Sequence, residues 1–387
     1  MKLHGYARPN GTYGIRNHLL VLPTSVCASD TASRIAAQVP GAVAVPHQHG
    51  CCEIGEDYEQ TLRTLIGFGK NPNVGAVLIV SLGCEGIQAA PVEKEIAATG
   101  KHVESIIIQE HGGTLGALHA GIRTAAQMAV ELSAMEKVEF DAAQLVLGLE
   151  CGGSDPTSGI AANPVLGVCS DLLIEAGGSS ILSETTEMIG AEHLLAEKAV
   201  TPEIAERFLE MVRRTEQRAI DMGNDLRGSQ PTPGNIEGGI TTIEEKSLGC
   251  IYKAGSKPLV GTLEYGEMVP AEPKGLYFMD TPGEDIDSIT GMVAGGAQII
   301  VFTSGRGTPT GCPIAPVIKL TGNYDTFNKM RDNMDFNAGR VISGEATVEE
   351  LGKELFAEMI RVCNGKLTKA ESLGHREFGI FRIGYTF

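Results

Sequence analysis

Short, almost wholly apolar runs recur along the first third of the chain, with amphipathic stretches between them. LLVLP at 19–23, AVLIVSLG from 76 and SIIIQE from 105 have the length and composition of strands buried on both faces. DTASRIAAQV and APVEKEIAATG have helical spacing, and the Ala-rich run from Leu118 to Met135 predicts a longer helix. A second series begins near Gln144 with LVLGLE and continues through SSILSE, GLYFMD, QIIVFTSG and PVIKLTG, with TPEIAERFLEMVRRTEQRAI helical among them. Strand and helix alternating in this way predict an α/β fold with largely parallel sheets. At 387 residues the chain exceeds the size at which one core stops growing, so two α/β domains are expected. The polar segment Glu136 to Asp141 sets the boundary, giving domains 1–138 and 139–387. Residues 223–242, rich in Gly, Pro, Asn and Thr, predict a long functional loop.

Charge narrows the function. A formal net charge of -17 excludes a dedicated nucleic-acid or anionic-membrane binder, since both surfaces are negative and no basic patch is present. An anionic substrate then needs local positive charge from Arg, Lys, helix N-termini or a metal. No apolar run has membrane-spanning length, and the N-terminus lacks the form of a signal peptide. Nine cysteines in such a chain point to reduced thiols in the cytoplasm.

Many of the strand-like runs end in a Gly-rich polar turn: PHQHGCCEIGED, SLGCEG, QEHGG, ECGGSDPTSG and TSGRGTP. Ligands bind beyond the carboxyl ends of parallel strands, so these turns are expected to converge on one site. Cys51, Cys84 and Cys151 each lie in such a turn and form a candidate set of iron ligands, with Cys52 a rival to Cys51 and small buried hydrophobes the alternative. Cys27, Cys169, Cys250, Cys312 and Cys363 read as structural. His47, preferred over His49 and His111, is a candidate base or ligand. Glu184 and Glu187 in SETTE suit a divalent cation or proton abstraction, or simply the start of a solvated helix. Arg306 in SGRGTP suits a carboxylate, with a surface arginine as the alternative. Lys246 is a substrate contact, a base, or a partner of Glu244 or Glu245. Ser154 and Asp155 hold substrate hydroxyls or cap a helix, and Asn235 in the long loop joins them as a substrate-binding candidate. No GxGxxG fingerprint, Walker loop or GxSxG elbow occurs.

Seven ordered motifs, GYARPNGTYGIRNHLLVLPT, HQHGC, NPNVGAVLIVSLGCE, ECGGSDPTSGIAANP, SETTE, TPGNIEGGITTIEEKSLG and TSGRGTPTG, together resemble the altronate and galactarate dehydratase family over nearly the whole chain. The resemblance implies a dehydratase of a hexonate or aldarate that needs ferrous iron, with a Rossmann-like parallel sheet in its C-terminal domain. It also implies that Cys51, Cys84, Cys151, Glu184, Glu187, Lys246 and Arg306 occupy motif positions; iron as Fe²⁺ or as an iron-sulfur cluster, or another divalent cation, is the expected cofactor. The family's small SAF-type domain precedes the GYxR motif, which here begins at Gly5, so a separate small subunit is an expected partner, along with a second copy of the chain. The related sulfolactate sulfo-lyase large subunit is also similar, notably at GIRNH; it is expected to lack the Cys51 and Cys84 pattern, which favours the dehydratase. A non-catalytic metal-binding subunit is the remaining alternative.

Overall fold

The apolar runs form parallel sheets, as strands without in/out alternation require. The computed structural model describes residues 1–229 and 231–387. In the first half, β1 (Lys2–Ala7) and β2 (Tyr13–Gly14) precede β3 (His18–Pro23), β4 (Ala42–Ala44), β5 (Val74–Ser81) and β6 (His102–Ile107). The sheet order is β4-β3-β5-β6, all parallel. Helices Val26–Gln38 and Thr114–Ser133 pack on one face through Ala28, Ile35, Ala125 and Met128. Gly55–Lys70 and Ala89–Ala97 cover the other through Leu65, Phe68, Val92 and Ile96.

β7 (Val138–Asp141) lies in the polar segment expected to divide the chain, and it pairs antiparallel with β1. The second half carries β8 (Val146–Cys151), β9 (Ser179–Leu182), β10 (Leu259–Leu263), β11 (Leu276–Met279), β12 (Ile299–Thr303), β13 (Val317–Thr321) and β14 (Phe336–Asn337). Its order is β10-β11-β9-β8-β12-β13-β14, again parallel throughout. The chain winds outward from β8 through β9, then crosses to β12, so β8 stands at the switch point where such sheets open a crevice. Every strand expected from an apolar run is present. Strands β1, β2, β7, β10 and β14 were not expected, being short or polar. The expected loop at 223–242 contains the short helices Leu226–Ser229 and Pro233–Glu237, while its residue 230 lies outside the described residues.

The two halves share a core: Leu65 and Phe68 join Tyr265, Met292, Val293 and Phe302 in one apolar cluster. Asn71 and Asn73 bridge them with side-chain hydrogen bonds to Val293, Ala297, Gln298 and Ile314 carbonyls. The C-terminal tail also returns to the first half, where the buried Asp57 carboxylate accepts the N–H groups of Ile383 and Gly384. No helix among the described residues is long and apolar enough to cross a membrane.

Candidate active site

Three local structures place charge at the end of β8. The helix Ile243–Ile251 starts at Thr242, whose side chain accepts the Glu245 N–H, and it carries Lys246 and Cys250 one turn apart. Lys253 follows in the tight turn Tyr252–Ala254, so the three share a face at i, i+4 and i+7. After β9, Glu184 adopts φ 69°, a left-handed conformation unusual for a non-glycine residue. Thr281 holds it there: its Oγ1 accepts the Glu184 N–H and its carbonyl accepts the Thr185 N–H. Such strain concentrates at functional sites. The following turn brings Glu187 to the same point.

Glu187 sits at the centre. One oxygen faces Lys246 Nζ at 2.5 Å, and the other accepts from Cys151 Sγ at 2.6 Å and Cys250 Sγ at 2.9 Å. Lys253, with no solvent exposure, reaches Glu184 at 2.5 Å and Cys151 Sγ at 2.7 Å. The second oxygen of Glu184 has no partner among the described residues, nor does one oxygen of Glu150, whose other oxygen accepts from Ser288 and Ser183.

The electrostatics follow from burial opposed by pairing. Burial works against the Glu187 carboxylate, but Lys246 and Lys253 outweigh it and take its pKa to about 2. Burial likewise works against both ammonium groups; Glu187 offsets it for Lys246, and Cys151 and Glu184 for Lys253, so both stay above their ordinary value. Glu184 and Glu150 are raised by burial and then by neighbouring carboxylates. Asp285 is pushed to about 7 by burial, Glu184 and Glu187. Burial and Cys250 push the Cys151 thiol up.

A cavity of about 220 Å³ opens beside this cluster, lined by Ser154, Asp155, Asn163, Lys246, Cys250 and Tyr252. One edge is a wide π turn, Ser158–Ala162, that opens the helix Asn163–Glu175. Asn235 accepts the Ser154 N–H at 2.7 Å. Asp155 accepts from Thr157, Ser158 and Asn323, which seats the turn. The Gly153 carbonyl accepts the N–H groups of Gly305 and Arg306, so the GGSD and SGRG turns are joined. Arg306 lies over Gly153 with its guanidinium half exposed, its one carboxylate partner among the described residues being Glu237 at 3.5 Å. Ser154, Asp155, Asn235 and Arg306 therefore stand together. Lys246 pairs with Glu187 rather than with Glu244 or Glu245, because the helix turns it inward while Glu245 bonds Thr241 at the helix start.

The cysteines divide. Among the described residues, the donor groups whose atoms lie within 4.8 Å of one another are Cys151 with Glu187 and Cys250, and Glu150 with Glu184 and Asp285. Cys51 and Cys84 are in neither. They stand exposed on adjoining turns of the first half, joined where the Ile87 N–H meets the Gly50 carbonyl. His47 in the same turn uses both ring nitrogens on backbone, Nε2 at Pro23 O and Nδ1 at the His49 N–H. His49 is different: Nδ1 meets Glu53 at 2.9 Å, and Glu53 is itself fixed by Gly50 N–H and Thr61. His47 and His49 line a cavity of about 520 Å³ with Asp287, Phe378 and Arg382. Asp285 and Asp287, on the first turn of the helix Asp285–Ala294, face the β8 cluster and the His49 cavity respectively.

Two thiols and a carboxylate suit a borderline divalent ion such as ferrous iron. Cys250, Lys253, Glu150, Asp285 and His49 were not selected from the sequence. Cys250 and Lys253 were signalled by their helical spacing from Lys246. Glu150 was hidden inside an apolar strand.

The family described as D-galactarate/altronate dehydratase, C-terminal, matches residues 142–386, and that described as D-galactarate dehydratase/altronate hydrolase, second domain, matches residues 5–133. The chain is 40% identical to the (2R)-sulfolactate sulfo-lyase subunit beta of Chromohalobacter salexigens, over 98% of this chain and 97% of that one. It is 34% identical to the altronate dehydratase of Bacillus subtilis and 36% identical to that of Escherichia coli, over 99% and 98% of this chain and 78% of each relative. The chain is thus a lyase that belongs to the D-galactarate/altronate dehydratase family.

Proposed function

We propose that the chain is the catalytic part of a hydro-lyase that dehydrates a hexonate or aldarate to a 2-keto-3-deoxy acid. The observation that carries this is the Lys246–Glu187 pair at the edge of a cavity beside the Ser154 and Arg306 turns. Arg306 binds the substrate carboxylate through paired hydrogen bonds, and Ser154 and Asn235, with Asp155 seating their turn, orient the hydroxyls. Cys151, Glu187 and Cys250 would hold iron, which when bound supplies positive charge to the substrate carboxylate and 2-hydroxyl. The substrate reaches from the Lys246 cavity to the His49 cavity across the Asp285–Asp287 turn, and there His49, oriented by Glu53, takes the C2 proton; a histidine whose Nδ1 is fixed by a carboxylate presents Nε2 as a base. Lys246, whose ammonium faces the cavity, gives a proton to the departing C3 hydroxyl, which leaves as water. The resulting enol tautomerises to the keto acid. A small SAF-type partner subunit closes the cavity, a reading supported by the relative that is named as a subunit.

A second reading is sulfite release from a sulfolactate, favoured by the match to 97% of the sulfo-lyase subunit. Sulfite leaves without protonation, so Lys246 would then serve binding alone. Anaerobic protein with ferrous iron and the small subunit, incubated with altronate, galactarate and (2R)-sulfolactate, separates the readings. Keto acid without sulfite supports the dehydratase; sulfite supports the second; no product from any of them removes both.

A further inference from the structure

We infer that Glu150, Glu184 and Asp285 form an oxygen-only site for a divalent cation of the magnesium or manganese class, separate from the thiol-bearing group at Glu187. Three carboxyl groups contribute one oxygen each, and these lie within 4.8 Å of one another. Oxygens on opposite sides of a hard divalent ion, bound at about 2.1–2.4 Å, are about 4.2–4.8 Å apart. Glu150 and Glu184 have no solvent exposure, and each keeps one oxygen tied and one free. Ser288 and Ser183 hold one oxygen of Glu150; the Cys151 N–H and Lys253 hold one of Glu184. The remaining oxygen of each is buried without a partner among the described residues.

A buried carboxylate oxygen ordinarily finds a donor, so two orphans in one acidic trio point to a cation as the missing partner. Gly152 admits the third member: a Cβ there would lie 3.1 Å from Asp285 Oδ2, so a larger residue would crowd that carboxylate. Asp285 is the trio's only partly exposed member and provides the way in. Ligand chemistry divides the two groups. All-oxygen donors suit magnesium or manganese, whereas Cys151 and Cys250 suit a softer ion. Lys253 spans the two, bonded to Glu184 on one side and Cys151 on the other. The site is independent of whether the reaction expels hydroxide or sulfite.

The probe is Mn²⁺ alone, titrated into the full chain and read by the loss of the free-ion electron paramagnetic resonance signal, with Mg²⁺ as competitor. One Mn²⁺ per chain is expected at this site. Glu150→Gln and Asp285→Asn should each weaken it at least tenfold, and Cys250→Ser should leave it unchanged. Both carboxyl variants remove crowded like charge, so their metal-free melting temperatures should equal or exceed that of the unaltered protein. Absence of binding at millimolar Mn²⁺, equal affinity in the carboxyl variants, or loss in Cys250→Ser overturns the proposal. So does a fall in the metal-free melting temperature, which would make the trio a structural element complete without an ion.

Discussion

Lys253 and Glu184 form an ion pair of 2.5 Å in which neither side chain has any solvent exposure. A buried pair of this kind is weak evidence for stability, yet removing one partner strands the other charge. Lys253→Met should therefore destabilise the fold by about 3–5 kcal/mol. Adding Glu184→Gln should restore much of the loss. Urea unfolding of the two variants checks this; equal stability of the single and double variants would refute the pairing.

Lys246 differs from Lys253 in reaching the cavity. Lys246→Ala should lower kcat by about 10²–10⁴-fold, the usual worth of a general acid, with a smaller change in KM. Steady-state rates on the active substrate decide it. A loss confined to KM would make Lys246 a binding residue.

Burial lowers the pKa of His47 to about 4, with His49 adding to the effect against the Pro23 hydrogen bond. As pH falls below about 6.5 the unfolded chain takes up a proton at this residue while the folded chain does not, until about pH 4. Stability should thus be lost across that window by about 3 kcal/mol from His47. Urea midpoints at pH 7 and pH 4.5 measure the slope, and His47→Gln should flatten it.

Gly50 sits at φ 91°, and a Cβ there would lie 2.0 Å from the Thr24 carbonyl. Gly50→Ala should shift the His49 and Cys51 turn and cost about 1–3 kcal/mol, as overpacking against backbone does. Thermal melting and the rate should both fall. Normal activity in this variant would separate the turn from the reaction.

Much of the fold is legible in the chain because strands buried on both faces are written as unbroken apolar runs; LLVLP, AVLIVSLG and QIIVFTSG all became strands. Strands at edges or junctions escape that signal: β7 is VEFD and β14 is two residues long. At the site, turns ending strands pointed to Glu187, Ser154 and Arg306, which do assemble. Helical periodicity in KSLGCIYK carried Lys246, Cys250 and Lys253, but Cys250 reads locally as a small hydrophobe. Only tertiary packing reveals that it faces Glu187. Cys51 and Cys84 share the Gly-flanked context of Cys151 yet belong to the other sheet, a distinction that spacing along the chain does not carry.

In the proposed reaction His49 removes the C2 proton and Lys246 assists the leaving group. Exchange of the C2 hydrogen in D₂O, followed by proton NMR with the active substrate, tests both at once. Lys246→Ala should form little product yet still exchange C2 hydrogen, while His49→Gln should do neither. Product formation by His49→Gln, or loss of exchange in Lys246→Ala, would contradict it.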